Sequence, residues 1–124
     1  MANGNKDAAV SFLQMASRGD VREAYSKFVA PGFQHHNSYY EGSAETLMTA
    51  MEENARENPS KALDVKLAIE EGDFVAVHSH MRLKPGELGG AVVHIFRFEE
   101  GRIVELWDVG QAVPEQSPNQ HGMF

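Results

Sequence analysis

Apolar positions recur at helical spacing along the first half of the chain and alternate along the second half. Ala9, Phe12, Leu13 and Ala16 make the first stripe. Asn5 reads as the N-cap of that helix, Asp7 falls in its first turn, and Gly19 reads as the stop beyond it. Asp20, with Glu23 three residues on, has capping-box spacing for a second helix that carries Val21, Ala24, Tyr25 and Phe28 and ends at Pro31-Gly32. A short extended piece, Phe33 to Asn37, follows. Ser43 caps a third helix with Leu47, Met48, Met51 and Ala55 on one side. Asn58-Pro59 closes it, because the residue before proline avoids the α region.

The period then changes to two. Leu63, Val65, Leu67 and Ile69 predict a strand with all four on one face, and Phe74 to Met81 returns after Glu71-Gly72. Lys84 to Gly90 is a loop. Ala91 to Phe98 and Arg102 to Val109 form a second hairpin across Glu99-Glu100-Gly101. The echo between Ile69-Glu70-Glu71-Gly72 and Phe98-Glu99-Glu100-Gly101 reads as one type I turn with a glycine bulge, used twice. From Pro114 the chain is a polar tail, disordered or laid along the surface, ending in Met123-Phe124. Helices first and strands later predict an α+β domain. Its antiparallel sheet buries one face on the helices, and strong curvature leaves a pocket in the concavity.

Composition narrows the function classes. A length of 124 residues fits one domain, and 42% hydrophobic with 23% charged residues fits a folded chain rather than a disordered one. Eighteen acidic against eleven basic residues leave a net charge of −7, which argues against nucleic-acid and anionic-membrane partners. The absence of cysteine excludes thiol nucleophiles and thiolate-bound zinc. No basic start with a longer apolar run marks a secretory signal, and no apolar run is long enough to span a membrane, so cytoplasmic residence is expected. No phosphate loop, glycine fingerprint or Ser/His/Asp spacing is present.

The last hairpin carries the most chemistry. A glycine bulge at Gly101 places Phe98 opposite Arg102, Phe96 opposite Val104, His94 opposite Leu106 and Val92 opposite Asp108. One face then holds Val92, His94, Phe96, Val104, Leu106 and Asp108, apolar except for an imidazole and a carboxylate that are diagonal neighbours. The other face holds Arg97, Glu99, Glu105 and Trp107. A carboxylate on an apolar face is expensive to ionise, and a nearby imidazole offsets that cost, an arrangement suited to proton transfer near neutral pH. The plainer alternative is that Asp108 ends its strand and bonds a loop. His78 and His80 share a face, while His35 and His36 point to opposite sides. With His94 and Asp108 these imidazoles could converge on a divalent metal, although no tight ligand motif is present and the simplest expectation is no metal and no cofactor. Tyr40 could donate into a pocket or pack near a helix start.

Several stretches together carry a family resemblance. They are Phe33-Gln34-His35-His36-Asn37 followed by Glu41-Gly42, the segment Glu71 to His78, the hairpin Ile95 to Val109, and the tail from Val113-Pro114-Glu115 to Met123-Phe124. In these the chain resembles the SnoaL-like polyketide cyclases of the nuclear transport factor 2-like superfamily, and more narrowly the SnoaL-like aldol-condensation enzymes. The resemblance implies a cystatin-like α+β cone: a curved antiparallel sheet wrapped on three helices, a pocket inside, and a homodimer through the sheet. It implies one SnoaL-like domain over residues 1–124, with residues from about 114 as an extended tail. It also implies metal-free, cofactor-free chemistry in which an acidic residue makes an enolate and hydrogen-bond donors hold its oxygen. It carries over Asp108, His36, Asn37 and His78 as pocket residues. Three positions depart from the family, two of them in the last hairpin's chemistry: His94 stands where Asp is usual, and Leu106 where His is usual. Gly110 replaces the usual apolar residue.

The expected function is therefore a small cofactor-independent lyase or isomerase acting on a hydrophobic carbonyl compound. Asp108 is the candidate base, assisted by His94. His36 and Asn37, with His78, are candidate donors to the enolate oxygen. His80, Phe96, Leu106, Trp107 and Tyr40 complete the expected substrate-binding set. The alternatives are a non-catalytic small-molecule-binding dimer and a metal-dependent enzyme using His36, His78 or His80, and His94.

Overall fold

The structure, a computed structural model, describes residues 4–124. Its elements run α1 (Asn5–Ser17), α2 (Val21–Phe28), β1 (Val29–His35), α3 (Ala44–Glu57), β2 (Ala62–Glu71), β3 (Phe74–Arg82), β4 (Gly90–Glu99) and β5 (Arg102–Ala112). The five strands form one sheet in the order β1-β5-β4-β3-β2. Four are antiparallel, and β1 joins parallel to β5 at the edge. This is the α+β arrangement expected. Among the described residues no helix is long and apolar enough to cross a membrane.

The helix ends show what local signals decide. After α1, Gly19 takes a φ of 103°, and the amides of Gly19 and Asp20 reach back to the carbonyls of Ala16 and Met15. This is a Schellman stop, which an L side chain would strain. Ser43 caps α3 by accepting from the Thr46 amide at 3.2 Å. The other two caps differ from expectation. Asn5 is the first helical residue rather than the cap, and the Lys6 amide donates instead to Glu70 of β2 at 3.0 Å. Asp20 makes no side-chain cap bond, because Arg18 holds its carboxylate at 2.9 Å.

Three register corrections follow from backbone geometry. Pro31-Gly32 does not end α2; β1 already begins at Val29, and Gly32, with φ 82°, interrupts the pairing between Val29 and Gln34. Proline is tolerated there because β1 is an edge strand. In β2 a bulge at Lys66 breaks the alternation. Leu63, Val65 and Ala68 pack on the core, whereas Leu67 and Ile69 turn outward, 49% and 60% exposed. The two Glu-Glu-Gly turns are not alike. Glu71 pairs with Phe74 across Gly72-Asp73, whereas Glu99 pairs with Arg102 across Glu100-Gly101. Both residues of the second loop have positive φ, 51° and 78°, as a type I′ hairpin requires. The bulge of that hairpin falls later, at Val104. Arg97 therefore pairs with Glu105, Phe96 with Leu106 and His94 with Asp108.

The core lies between α1, α2 and the inner face of the sheet. Phe12 packs edge-on against Tyr25 and Phe96, with ring centres 5.4 and 5.9 Å apart. Val75, Val77, Phe98, Ile103 and Leu106 complete its centre, all buried. Burial raises the Tyr25 pKa, and its hydroxyl donates to the Met51 sulfur at 3.4 Å.

Candidate functional site

Inner-face positions alternate along each strand. Val75, Val77 and Ser79 face inward on β3, His94 and Phe96 on β4, Leu106 and Asp108 on β5, and Phe33 and His35 on β1. Moving outward from Phe96 and Leu106, the face turns polar at His94 and Asp108. These two are direct cross-strand partners, not the diagonal neighbours expected. His94 and Leu106 are consequently diagonal rather than opposite.

The loop after β1 fixes Asp108. Asn37 Nδ2 donates to Asp108 Oδ2 at 3.0 Å, while Asn37 Oδ1 accepts from the Tyr39 amide at 3.0 Å. The Asn37 amide in turn donates to His35 Nδ1 at 3.1 Å, and His35 Nε2 lies 2.7 Å from the Glu41 carbonyl. A carbonyl oxygen only accepts and the Asn37 amide only donates, so in these bonds Nε2 is the donor and Nδ1 the acceptor. His35 is buried and acts as a bracket for Asn37.

His94 is set by desolvation. Burial lowers its pKa from 6.5 to about 4; the Asp108 carboxylate pulls the other way, and the Lys61 ammonium adds to the lowering. At neutral pH the ring is uncharged. Among the described residues its buried Nδ1 has no hydrogen-bond partner, and neither has Ser79 Oγ on the adjacent strand.

Other expected site residues lie elsewhere. His36 is on the outer face. It stacks on Trp107 with ring centres 5.0 Å apart and meets Glu105 Oε2 at 2.6 Å, and Arg97 holds the second Glu105 oxygen at 3.0 Å. Those two partners, His36 first, hold the Glu105 carboxyl below its ordinary range. His36 and Trp107 are thus separated from Asp108 by the sheet, because His35 takes the inward parity beside Phe33. His78 and His80 are also outward, since Val77 and Ser79 fill the inner positions of β3. The Phe124 ring covers both, at 5.6 and 4.5 Å, and His80 Nε2 donates to the Leu88 carbonyl at 2.7 Å. The tail is therefore laid on the outer face rather than free. Tyr40 is 46% exposed. Phe96 and Leu106 face inward as expected.

The imidazoles split between the two faces, so the proposed metal set of His36, His78 or His80, and His94 does not assemble. Among the described residues no three His, Asp or Glu side chains come together as metal ligands. Two open grooves lie away from the Asp108 cluster. One, about 770 Å³, runs along the start of α1 beside Lys27, Phe28 and Ala68. The other, about 470 Å³, lies by His78, Val93, Val109 and Met123.

His35, Ser79 and Lys61 were missed by sequence reasoning. Strand parity was the available signal: His35 follows Phe33 by two, Ser79 follows Val77 by two, and Lys61 precedes Leu63 by two.

The family model described as SnoaL-like polyketide cyclase matches residues 6–115. No curated protein matches the chain. Among solved structures, AclR of Streptomyces galilaeus is 24% identical with a TM-score of 0.73, covering 86% of this chain and 88% of its own. IdmH of Streptomyces antibioticus is 18% identical with a TM-score of 0.71, covering 88% and 93%. A SnoaL-like protein of unknown function from Burkholderia thailandensis is 15% identical with a TM-score of 0.72, covering 90% and 99%. At these identities the likeness to solved structures shows the nuclear transport factor 2-like fold.

Proposed function

The chain belongs to the SnoaL-like polyketide cyclase family, and from that premise we propose that it moves a proton on an apolar carbonyl compound, using its own side chains and no cofactor. The observation that supports this reading most is the inward Asp108–His94 pair, with Asn37 holding one carboxylate oxygen at 3.0 Å.

In this reading Asp108 is the base. Asn37 fixes Oδ2, which leaves Oδ1 to take the proton from the carbon next to the substrate carbonyl. The electron pair moves onto the carbonyl oxygen and gives an enolate. The uncharged His94 ring donates its one N–H to that oxygen and stabilises it without competing for the proton. The proton then returns from Asp108 to another carbon, which is isomerisation. Alternatively the enolate carbon attacks a second carbonyl, and the new alkoxide takes the proton, which is aldol closure. Phe96 and Leu106 form the apolar floor.

The test is hydrogen exchange. A panel of aromatic ketones beginning with 2-tetralone is incubated in heavy water, and loss of the proton next to the carbonyl is followed by NMR. The wild type exceeds the buffer rate, and Asp108→Asn falls by about 10²–10⁴-fold. Equal exchange in the two proteins removes Asp108 from the mechanism, and ligand binding without exchange favours a binding module.

The outer face supports a homodimer through the sheet. Leu67, Ile69, Phe74 and Val109 present a broad apolar surface there, each 45% exposed or more. Native mass spectrometry gives a dimer that Ile69→Arg converts to monomer. A monomeric wild type at micromolar concentration overturns the assignment.

A further inference from the structure

Lys61 has no place in the mechanism above, yet it sits at the same cluster. It stands one residue before β2, with the inward parity of Leu63 and Val65, and it is half-buried. Its ammonium donates to the neutral side-chain amide of Asn54 at 2.6 Å. Burial lowers its pKa, and no carboxylate among the described residues offsets that. A partly desolvated charge without a counter-charge is costly.

Across the sheet order β2-β3-β4-β5, Lys61 stands just before β2, Ser79 on β3, His94 on β4 and Asp108 on β5, and His94 feels the Asp108 carboxylate and the Lys61 ammonium with opposite sign. The Ser79 hydroxyl, 0% exposed, belongs to the same stretch of the inner face. It lies opposite Val92, one inward step from the Val77–His94 pair. Ser79 Oγ and His94 Nδ1 both lack partners among the described residues. An orphaned buried polar atom costs its full desolvation unless something occupies the site. The inner face thus offers a cation at one end, a carboxylate at the other, and two unpaired polar atoms along it.

We propose that Lys61 anchors a carboxylate on the ligand, with Ser79 bonding a polar atom along it and His94 keeping its N–H for the carbonyl oxygen, so that the substrate is an otherwise apolar carbonyl compound bearing one carboxylate group. This rests on the proton-transfer reading, which assigns the opposite end of the ligand to Asp108. Among substrates of one size, the site then selects by charge at the Lys61 end and leaves the carbonyl carbon to Asp108.

The experiment compares two probes of one shape, 2-naphthoate and its neutral methyl ester, titrated into isotope-labelled protein at neutral pH. Amide and ring signals of Ala62, Ser79 and His94 report the site. The carboxylate binds about tenfold tighter than the ester or more, as a charge-assisted bond implies. Lys61→Met erases that preference and keeps the ester affinity, and Lys61→Arg keeps the preference. Equal affinities in the wild type, a preference that survives Lys61→Met, or no shift at these signals with either probe overturns the anchor. The wild-type comparison stands even if a variant fails to fold. Failure here with Asp108-dependent exchange intact removes only the anchor; loss of exchange with the charge preference intact removes only the catalytic reading.

Discussion

His94 and His36 are the same side chain on opposite faces of one sheet. His94 faces the helices, has an unpartnered Nδ1 and is held uncharged by burial, with its pKa lowered to about 4. His36 faces outward, stacks on Trp107 and is bonded to a carboxylate that Arg97 also holds. On the outer face His36, Glu105 and Arg97 satisfy one another. The inner face leaves polar atoms open while fixing the one carboxylate among them. Unfilled hydrogen-bonding capacity is a cost to folding, and among the described residues its buried instances, Ser79 Oγ and His94 Nδ1, both lie on the inner face. A histidine on this sheet is therefore informative through its face, not through its presence.

The largest effect that would sharpen the contrast comes from Asp108→Asn. Besides the loss of exchange, it moves His94. The carboxylate raises the His94 pKa against burial, so its removal lowers that pKa below about 4. Histidine-detected NMR titration measures this, with His36 as the internal control. A His94 pKa that rises or stays fixed in the variant breaks the proposed pairing of base and ring.

The next effect is on stability. The His94 pKa is about 4 in the folded chain against 6.5 when exposed. Between those values the unfolded chain binds more protons. Stability is fully present above pH 6.5 and falls as pH drops toward about 4, by about 3 kcal/mol in all. His94→Leu removes this loss, and because it also deletes an orphaned Nδ1 it leaves stability at neutral pH equal or higher. Urea unfolding across that range tests it. The Glu105 carboxyl, held low by His36 and Arg97, gives up its contribution only below its ordinary value of 4.5, so the two faces are read in different pH windows. A wild type whose stability is flat from pH 6.5 to 4.5 contradicts the inner-face account.

The helices and most strand ends were legible because their causes are local: glycine beyond α1, serine before α3, proline after Asn58. The cap from Glu70 to α1 was not, since it joins residues 64 apart. The inner face of the last hairpin was legible by parity, which gave His94, Phe96, Leu106 and Asp108 together. Their pairing was not, because a type I′ loop and a bulge at Val104 shift the partners by two relative to a glycine-bulge turn. The bulge at Lys66 likewise reversed Leu67 and Ile69. Bulges and loop type depend on twist and packing across the sheet, which a periodic pattern does not record. The choice between His35 and His36 was open to the rule that separates Phe33 from Gln34, and the family resemblance carried His36 instead.

The smallest expected effect isolates that choice. His36 is separated from Asp108 by the sheet, so His36→Gln leaves carbonyl exchange within about twofold of wild type, the scale of an ordinary surface change. His35→Gln differs, because His35 brackets Asn37 through Nδ1 and Nε2 at once. A glutamine there cannot keep both bonds in the same geometry, Asn37 loses its orientation toward Asp108, and exchange drops by about tenfold. The pair of variants, measured by exchange rate and by the Asn37 side-chain amide signals, decides which imidazole serves the site. A larger loss from His36→Gln than from His35→Gln places the working histidine on the outer face and reverses the assignment of faces on which the mechanism depends.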